Sequence, residues 1–386
     1  MKTSIILSTL MTSLICLCSC KEEPRLIETP ENTIPPLTLQ GTAALFSSLG
    51  IGTEQMKEVS DAVLSSASNG YDEEYMLSDL FASPGAGVGE VSTRAETLYE
   101  KPLREMIRER LSSAPGTRAS NEVEDYIEAL SLSGMQIYWP DCESWDGKTL
   151  PVITFDPESE AEVNEGYELF IDEEGKTGKR RVMVSEQMAR ERPVWVINCN
   201  DDSSFLTLEQ LRRDDPDWGR GGRVTTRSGT LRTLFLKDFT MNRYYESWFR
   251  GASEFAVKCG SLEGFTASTE AELRLYQPAV TDFVISVKRK NLGIKQDFDV
   301  VLISDWTQQL ESFAFMIVED DGGTRTSWKC DATVKVQSKS YGITLDLPYN
   351  DKDDIVWRGS LSSKYFEEYS LKTSHFGGVD VTFDIR

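Results

Sequence analysis

The chain is poor in the residues that most metal and nucleophilic centres need. Its 386 residues include one histidine, His375, and no Cys-x-x-Cys pair occurs. A single imidazole excludes a multi-histidine metal centre and the His-Glu-x-x-His motif, and the missing cysteine pairs argue against zinc bound by thiolates. Most zinc-dependent chemistry is therefore excluded.

Candidates for nucleophilic catalysis are equally few. His375 precedes a Gly-Gly pair in a predicted loop that enters the last strand, and no Gly-x-Ser-x-Gly elbow supplies it with a nucleophile. Cys199 follows an apolar strand, but a reactive thiolate needs a nearby base, and the only histidine lies far along the chain. We expect both residues to serve turns and packing.

Basic residues are in deficit. The chain has 41 Lys and Arg against 63 Asp and Glu, which gives a net charge of -22. This charge repels nucleic acid and anionic lipid surfaces. Beyond the first residues, no apolar run approaches the roughly 18 residues of a membrane span. We expect no nucleic-acid partner and a body that lies outside the membrane.

The amino terminus carries the strongest signal. Lys2 precedes a short apolar run, 5–17, and a Cys-Ser-Cys sequence ends at Cys20. A charged start, a short apolar stretch and small residues before a cut are typical of a signal peptide, here residues 1–19. The end resembles the bacterial lipobox, which implies that Cys20 carries acyl chains that anchor the protein in a membrane. The alternative is an ordinary secretory signal with incidental cysteines.

The residues after Cys20 bear on the location. The absence of Asp at the next position argues against retention at an inner membrane, and Lys21-Glu22-Glu23 resembles the export signal of Bacteroidota surface lipoproteins. We therefore expect an outer-membrane lipoprotein on the cell surface. Residues 20–41 are rich in Pro and Glu without periodicity, which predicts a disordered tether.

Residues 42–218 predict a helical region followed by a small α+β region. Apolar residues recur at helical spacing over 54–65 and 96–111, and Ser120 or Asn121 can cap a third helix. From Met135 onward, short β-branched and aromatic segments separated by turn residues predict strands. Residues 219–230 predict a linker and not a phosphate-binding loop, because no Lys-Ser/Thr pair follows their glycines.

Residues 231–386 predict strands almost throughout. Seven or eight segments alternate apolar and polar residues, as in Phe283, Ile285 and Val287. This alternation is typical of two sheets that each bury one face. The predicted fold class is α+β, with a helical and small mixed α/β N-terminal region followed by a C-terminal antiparallel β-sandwich of C2-like or jelly-roll topology.

Several short stretches, spread over most of the chain, are distinctive in sequence. They are Ile137-Tyr138-Trp139-Pro140, Trp145-Asp146-Gly147, Tyr276-Gln277-Pro278, Asp282-Phe283, 319–329, Lys339-Ser340-Tyr341-Gly342, 353–359 and 375–380. Together they resemble a group of uncharacterised Bacteroidota surface lipoproteins, and the resemblance covers most of the mature chain. It implies a lipid-anchored surface location. It implies no mechanism, because that group has no assigned activity.

Acidic residues cluster in predicted loops of the C-terminal region. Glu246 and Glu254 flank the loop after its first strand, and Glu319, Asp320 and Asp321 precede a Gly-Gly pair. Calcium takes about six to eight oxygen ligands, and a C2-like strand order would bring these loops together. The pattern predicts a calcium site. The alternative is an ordinary hairpin turn at Asp-Asp-Gly-Gly.

Aromatic residues are abundant, with eight tryptophans and thirteen tyrosines. Trp248, Trp306 and Trp328 lie near polar residues and are candidates for stacking on sugar rings. The alternative is that they pack in the core and at its rim.

Four cysteines remain once the signal peptide and Cys20 are set aside. They are Cys142, Cys199, Cys259 and Cys330, and four cysteines allow three pairings in an exported protein. Cys259 and Cys330 fall on the apolar faces of predicted strands. This placement favours buried thiols over disulfides.

These observations favour a non-catalytic surface protein that binds a glycan or a protein ligand, with calcium as an assisting cofactor. The alternative from another class is a carboxylate-dependent extracellular hydrolase such as a glycosidase, which needs only two Asp or Glu at a fixed separation. A structural partner of another surface complex is a third hypothesis, and it would show a broad exposed apolar patch.

Overall fold

The computed structural model describes residues 34–66, 73–81, 99–113, 120–159, 161–200, 207–220 and 231–386. The predicted signal peptide, Cys20, most of the predicted tether and most of the predicted linker lie outside these ranges. Within them, no helix has both the length and the apolar character that a membrane crossing requires.

Helices form the first layer of the N-terminal half. They are α1 Leu39–Ser47, α2 Thr53–Ser66, α3 Leu77–Leu80, α4 Leu103–Ser112 and α5 Ser120–Ser131. Helix α1 begins within the predicted tether, where the Thr38 side chain caps it by accepting a hydrogen bond from the Gly41 amide. The helix predicted over 96–111 starts at Leu103, directly after Pro102, because proline disfavours helical geometry in the residue before it.

A mixed six-stranded sheet, sheet A, packs against these helices. Its strands are β1 Glu74–Met76, β2 Met135–Tyr138, β3 Val152–Phe155, β4 Val163–Ile171, β5 Thr177–Ser185 and β6 Val194–Cys199. The order is β1-β2-β6-β3-β4-β5, and only β3 and β6 pair in parallel. Strand β6 is central and apolar, so residues 194–197 are buried on both faces. Two short helices follow β5 and β6, α6 Glu186–Glu191 and α7 Leu208–Asp214.

The C-terminal half contains two antiparallel sheets. Sheet B consists of β8 Ser253–Ser261, β9 Ala279–Val287, β11 Leu310–Glu319, β12 Arg325–Val336, β13 Lys339–Asn350 and β14 Asp354–Ser362. Sheet C consists of β7 Arg232–Met241, β10 Gln296–Trp306, β15 Thr373–Phe376 and β16 Val379–Ile385. Helix α8, Ser363–Tyr369, leads from β14 to β15. The orders are β13-β12-β11-β8-β9, with β14 also paired to β11, and β10-β7-β16-β15.

One apolar core joins sheets B and C. The ring centroids of Phe239 on β7 and Phe255 on β8 are 5.0 Å apart, and those of Phe315 on β11 and Phe383 on β16 are 5.4 Å apart. The alternation predicted for Phe283 and its neighbours is observed as buried positions on β9. The α+β class, with helices and a mixed sheet followed by antiparallel sheets, is confirmed.

The segment between β7 and β8, residues 242–252, connects the two halves. Trp248 and Phe249 are buried against apolar side chains of sheet A. The Trp248 indole donates a 2.9 Å hydrogen bond to the carbonyl of Glu162, and the Asn198 amide donates one of 3.1 Å to the carbonyl of Phe249. The two halves therefore share packed surface at this point.

Candidate functional site

Three carboxylates meet at one end of sheet B. Glu246, Glu319 and Asp321 each place an oxygen within 4.8 Å of the other two. They come from the 242–252 segment, from the last residue of β11, and from the turn after it. Glu319 is fully buried, and both of its neighbours in the cluster are at least partly shielded from solvent. Oxygens from separate segments at this spacing are what a hard cation such as calcium coordinates.

The other two acids of the predicted site face different partners. Asp320 accepts hydrogen bonds from the Gly322 amide, at 3.1 Å, and from the Asn350 side chain, at 3.2 Å. Glu254 accepts a hydrogen bond from the Ser286 hydroxyl across the β8–β9 pair, at 3.2 Å. Of the five acids predicted from the sequence, the structure therefore brings three together.

The environment of this carboxylate cluster disfavours negative charge. Burial raises the pKa of Asp321. Burial also raises the pKa of the neighbouring Asp353 to about 6, and the charge of Asp320 adds to this effect. Arg250 lies at the edge of the cluster, 3.7 Å from a Glu246 oxygen and 3.2 Å from an oxygen of Asp156. Arg250 therefore contacts both the cluster and the residue that directly follows β3.

In a second group of three acids, the carboxylates contact a lysine side chain of the same protein. Glu73, Asp141 and Glu143 also place oxygens within 4.8 Å of one another. The Lys290 ammonium is 3.5 Å from Glu73 and 3.2 Å from Asp141, and it contacts Glu143 at short range. Lys288 lies 3.4 Å from Glu73. Lysine therefore occupies the position that a metal ion would take in this group.

A cavity of about 330 Å³ opens beside this second group, between sheet A and the 242–252 segment. Aromatic side chains form part of its wall, namely Tyr138, Tyr244 and Trp248. The Arg289 guanidinium lies over the Tyr244 ring, 3.8 Å from its centroid. A smaller cavity of about 180 Å³ shares four of the lining residues and adds Trp139 and Trp145.

Charged side chains of both signs complete the wall of the larger cavity. The acids are Glu73, Asp141 and Glu186, and the bases are Arg190, Arg289 and Lys290. Glu186 accepts hydrogen bonds from Arg190, at 2.8 Å, and from Arg289, at 3.1 Å. Burial alone would raise the pKa of Glu186, but these two arginines hold it below its usual range.

The three tryptophans predicted to bind a ligand have different surroundings. Trp248 is 3% exposed, and its ring packs on Phe249 with centroids 4.0 Å apart. Trp306 is 5% exposed, and its indole donates a 3.1 Å hydrogen bond to the Leu310 carbonyl. Trp328 on β12 is half-buried and has the Arg358 guanidinium 5.8 Å from its ring centroid. Of the three, Trp328 has the most accessible surface.

The candidate nucleophile and base, Cys199 and His375, do not line either cavity. His375 Nδ1 is 2.7 Å from an Asp380 oxygen across the β15–β16 hairpin. Cys199 is exposed at the end of β6, and it is a free thiol, as are Cys142, Cys259 and Cys330. Burial raises the pKa of Cys142 to about 12, so this thiol stays protonated.

The sequence indicated one residue of the larger cavity, Trp248, as a candidate for ligand binding. Tyr138 belongs to the Ile-Tyr-Trp-Pro stretch on which the resemblance to surface lipoproteins rests, but nothing in the sequence indicated it as a wall residue. Arg289 and Lys290 follow β9 in an ordinary basic turn, and their partners lie more than a hundred positions away along the chain.

Comparisons of the chain with protein-family models, with curated proteins and with solved structures found no match.

Proposed function

We propose that this protein is a lipid-anchored, outer-membrane surface protein that binds an extracellular glycan or protein ligand without catalysis, assisted by a calcium ion at Glu246, Glu319 and Asp321. The observation that carries the proposal is the convergence of these three carboxylates from three segments of the chain. Glu319 is fully buried, where negative charge is costly, and a divalent cation bound by its carboxylate would lower that cost.

The chain offers an internal control for this proposal. The oxygens of Glu73, Asp141 and Glu143 also lie within 4.8 Å of one another, but Lys290 contacts all three carboxylates. Calcium entry there would require displacing an ammonium group that already offsets part of the negative charge of the cluster. We therefore expect calcium to bind the Glu246 cluster in preference to the Glu73 cluster, because only the latter contains a lysine ammonium group.

Calcium titration of the chelator-treated mature protein tests the site. We expect one bound ion by calorimetry and a higher melting temperature in millimolar calcium, because an ion that binds only the folded state stabilises it. Glu319→Gln should remove both effects, because it removes one of the three carboxylates. Glu143→Gln, in the lysine-filled group, should leave both effects intact. An unchanged calcium response in Glu319→Gln contradicts the proposal.

The anchor is proposed from the sequence around Cys20 and from the resemblance to Bacteroidota surface lipoproteins. Acyl chains on one thiol would hold the protein at the membrane. Fatty-acid labelling should mark the protein and be lost in Cys20→Ala, which should also release it from the membrane fraction. Protease added to intact cells should digest the anchored protein if it faces outward. A membrane-bound, unlabelled Cys20→Ala protein contradicts the anchor.

We further propose that sheets B and C form a β-sandwich of C2-like or jelly-roll type. The aromatic contacts between β7 and β8, and between β11 and β16, support two sheets with opposed apolar faces.

The second candidate function, a glycosidase, is favoured by the carboxyl groups that line the larger cavity. A general acid must hold a proton near neutral pH, which requires a raised pKa. Glu186 is instead held ionised by Arg190 and Arg289. Hydrolysis of aryl glycosides by the protein, and its loss in Glu186→Gln, would favour the enzyme. Glycan binding without any hydrolysis would favour the non-catalytic proposal.

A further inference from the structure

The cavity between sheet A and the 242–252 segment has the features of a small-molecule site. Its volume of about 330 Å³ lies at the lower end of the range for ligand pockets. It combines aromatic walls with a few convergent polar groups, and it lies where two halves of the chain meet. Such junctions are frequent binding sites.

Tyr138 lines this cavity. Its side chain is only 1% exposed. Burial, together with Glu73 and Glu74, raises its pKa, so the hydroxyl stays neutral. A neutral phenol hydroxyl can both donate a hydrogen bond to a ligand hydroxyl and accept one from it.

The charged groups of the wall already neutralise each other. Glu186 is paired with Arg190 and Arg289, and Lys290 is paired with Glu73 and Asp141. A charged ligand would have to break one of these ion pairs before it could form an ion pair with the wall. An uncharged ligand with several hydroxyls can instead donate to the carboxylates and accept from the arginines without breaking any pair.

Two residues of the wall hold uncommon backbone geometry. Glu73 has φ of 63° and Asp141 has φ of 54°, both in the left-handed region that non-glycine residues rarely adopt. The Asp141 backbone amide donates a 3.3 Å hydrogen bond to Glu73 Oε1, which holds the Glu73 carboxylate next to the backbone at Asp141. A group that is held in place before a ligand binds lowers the entropy cost of binding.

From these features we infer that the cavity binds an uncharged pyranose, as the terminal or penultimate unit of a surface glycan. Tyr138, Glu186 and Arg190 provide the hydrogen-bonding groups, and Tyr244 provides an aromatic wall. The adjoining cavity of about 180 Å³, with Trp139 and Trp145, gives room for a second sugar unit. The inference rests on the proposed ligand-binding function and names the ligand class and the site.

Two substitutions test the site directly. Tyr138→Phe removes only the hydroxyl, and Arg190→Ala removes an exposed donor that no core packing depends on. The matched controls are Tyr167→Phe, a buried tyrosine of sheet A outside the cavity, and Arg180→Ala, an exposed arginine paired with Glu168. Each cavity variant should weaken sugar binding about tenfold, the effect of one lost hydrogen bond, and each control should leave it within about twofold.

The probes are methyl glycosides and β-linked disaccharides of glucose, galactose, mannose and N-acetylglucosamine, titrated into the full mature protein with tryptophan fluorescence as the readout. Glucuronate and a dipeptide serve as the charged and zwitterionic arms. Binding of a neutral sugar that both cavity variants weaken is the expected result.

Three results would overturn the inference. They are tighter binding of the charged or zwitterionic probe, sugar binding that neither cavity variant alters, and no sugar binding at all. Calcium titration of the same samples reports separately on the proposed function, so the failure of one claim is distinguishable from the failure of the other.

Discussion

Arg289 joins the cavity to the carboxylate cluster through Glu246. Its Nη1 donates a 2.9 Å hydrogen bond to the Glu246 carbonyl oxygen, while its Nε and the face of its guanidinium contact Glu186 and Tyr244 in the cavity wall. The Glu246 carboxylate belongs to the proposed calcium site. A residue of the cavity wall, Arg289, is thus hydrogen-bonded to a residue of the proposed calcium site.

Coupling between the two proposed ligands follows from this contact. Calcium that fixes Glu246 should also fix Arg289 and so raise the affinity for the sugar, by about fivefold or more, and the sugar should raise the affinity for calcium by the same factor. Calorimetric titration of each ligand with and without the other measures this factor. Arg289→Met should bring this coupling factor close to one, whereas Arg180→Ala should leave the factor unchanged. Equal sugar affinity with and without calcium contradicts the coupling.

Glu58 should make the stability of the N-terminal helices depend on pH. Burial raises its pKa from 4.5 to about 7, although the Leu103 amide donates a hydrogen bond to its carboxylate. The folded chain therefore binds this proton more tightly than the unfolded chain. The free energy of unfolding falls as the pH rises from about 4.5 to about 7.

Glu58→Gln keeps an oxygen for the Leu103 amide and removes the buried charge. We expect it to raise the free energy of unfolding at pH 8 by on the order of 2 kcal/mol, and to flatten its pH dependence between about 4.5 and about 7. Urea denaturation across this pH range measures both effects. Glu122→Gln, on an exposed helix face, should change neither. Destabilisation of Glu58→Gln at pH 8 would contradict the assignment.

Trp248 should contribute to stability, in addition to lining the cavity. Its indole is buried against sheet A and donates a hydrogen bond to Glu162, so Trp248→Ala should cost about 3 to 5 kcal/mol. Trp328→Ala, at a half-buried position on β12, should cost about 1 kcal/mol. Chemical denaturation gives both values, and limited proteolysis should cut the 242–252 segment faster only in Trp248→Ala. Equal losses in the two variants would contradict the packing role.

Lys258 and Asp282 should behave as one unit. The fully buried Lys258 ammonium lies 2.8 Å from an oxygen of Asp282 on the neighbouring strand. Burial lowers the pKa of Lys258 and raises that of Asp282, so each group depends on the other to stay charged. Asp282→Asn should cost about 3 to 5 kcal/mol, and Lys258→Met combined with it should recover part of that loss. Additive losses in a double-mutant cycle would contradict the coupling.

The sequence indicated the C-terminal sheets because strand alternation is a local signal. Phe283, Ile285 and Val287 lie on one face of β9 for the same reason that they alternate along the chain. Alternation alone does not fix which strands pair, and the pairing of β11 with three strands, β8, β12 and β14, was not predictable from it.

The carboxylate cluster was predictable in part. Acids near the ends of neighbouring strands pointed to Glu246, Glu319 and Asp321, but the same reasoning included Asp320. Successive residues of an extended chain point to opposite sides, which separates Asp320 from Glu319 and Asp321. The two-residue alternation of side chains at the end of β11 would exclude Asp320 from the predicted calcium ligands.

The cavity could not be predicted because it forms between segments that are far apart in the chain. A tryptophan next to polar residues looks the same in sequence whether it lies on an open surface or, like Trp248, inserts into another sheet. Only the packing of the 242–252 segment on sheet A distinguishes the two cases.

A crystal structure of the protein grown with calcium is the sharpest test of the calcium site. We expect an ion bound by carboxylate oxygens of Glu246, Glu319 and Asp321 at about 2.3 to 2.6 Å. Anomalous scattering would identify it. Crystals in which these carboxylates hold no ion, or in which calcium lies only beside Glu73, Asp141 and Glu143, would contradict it.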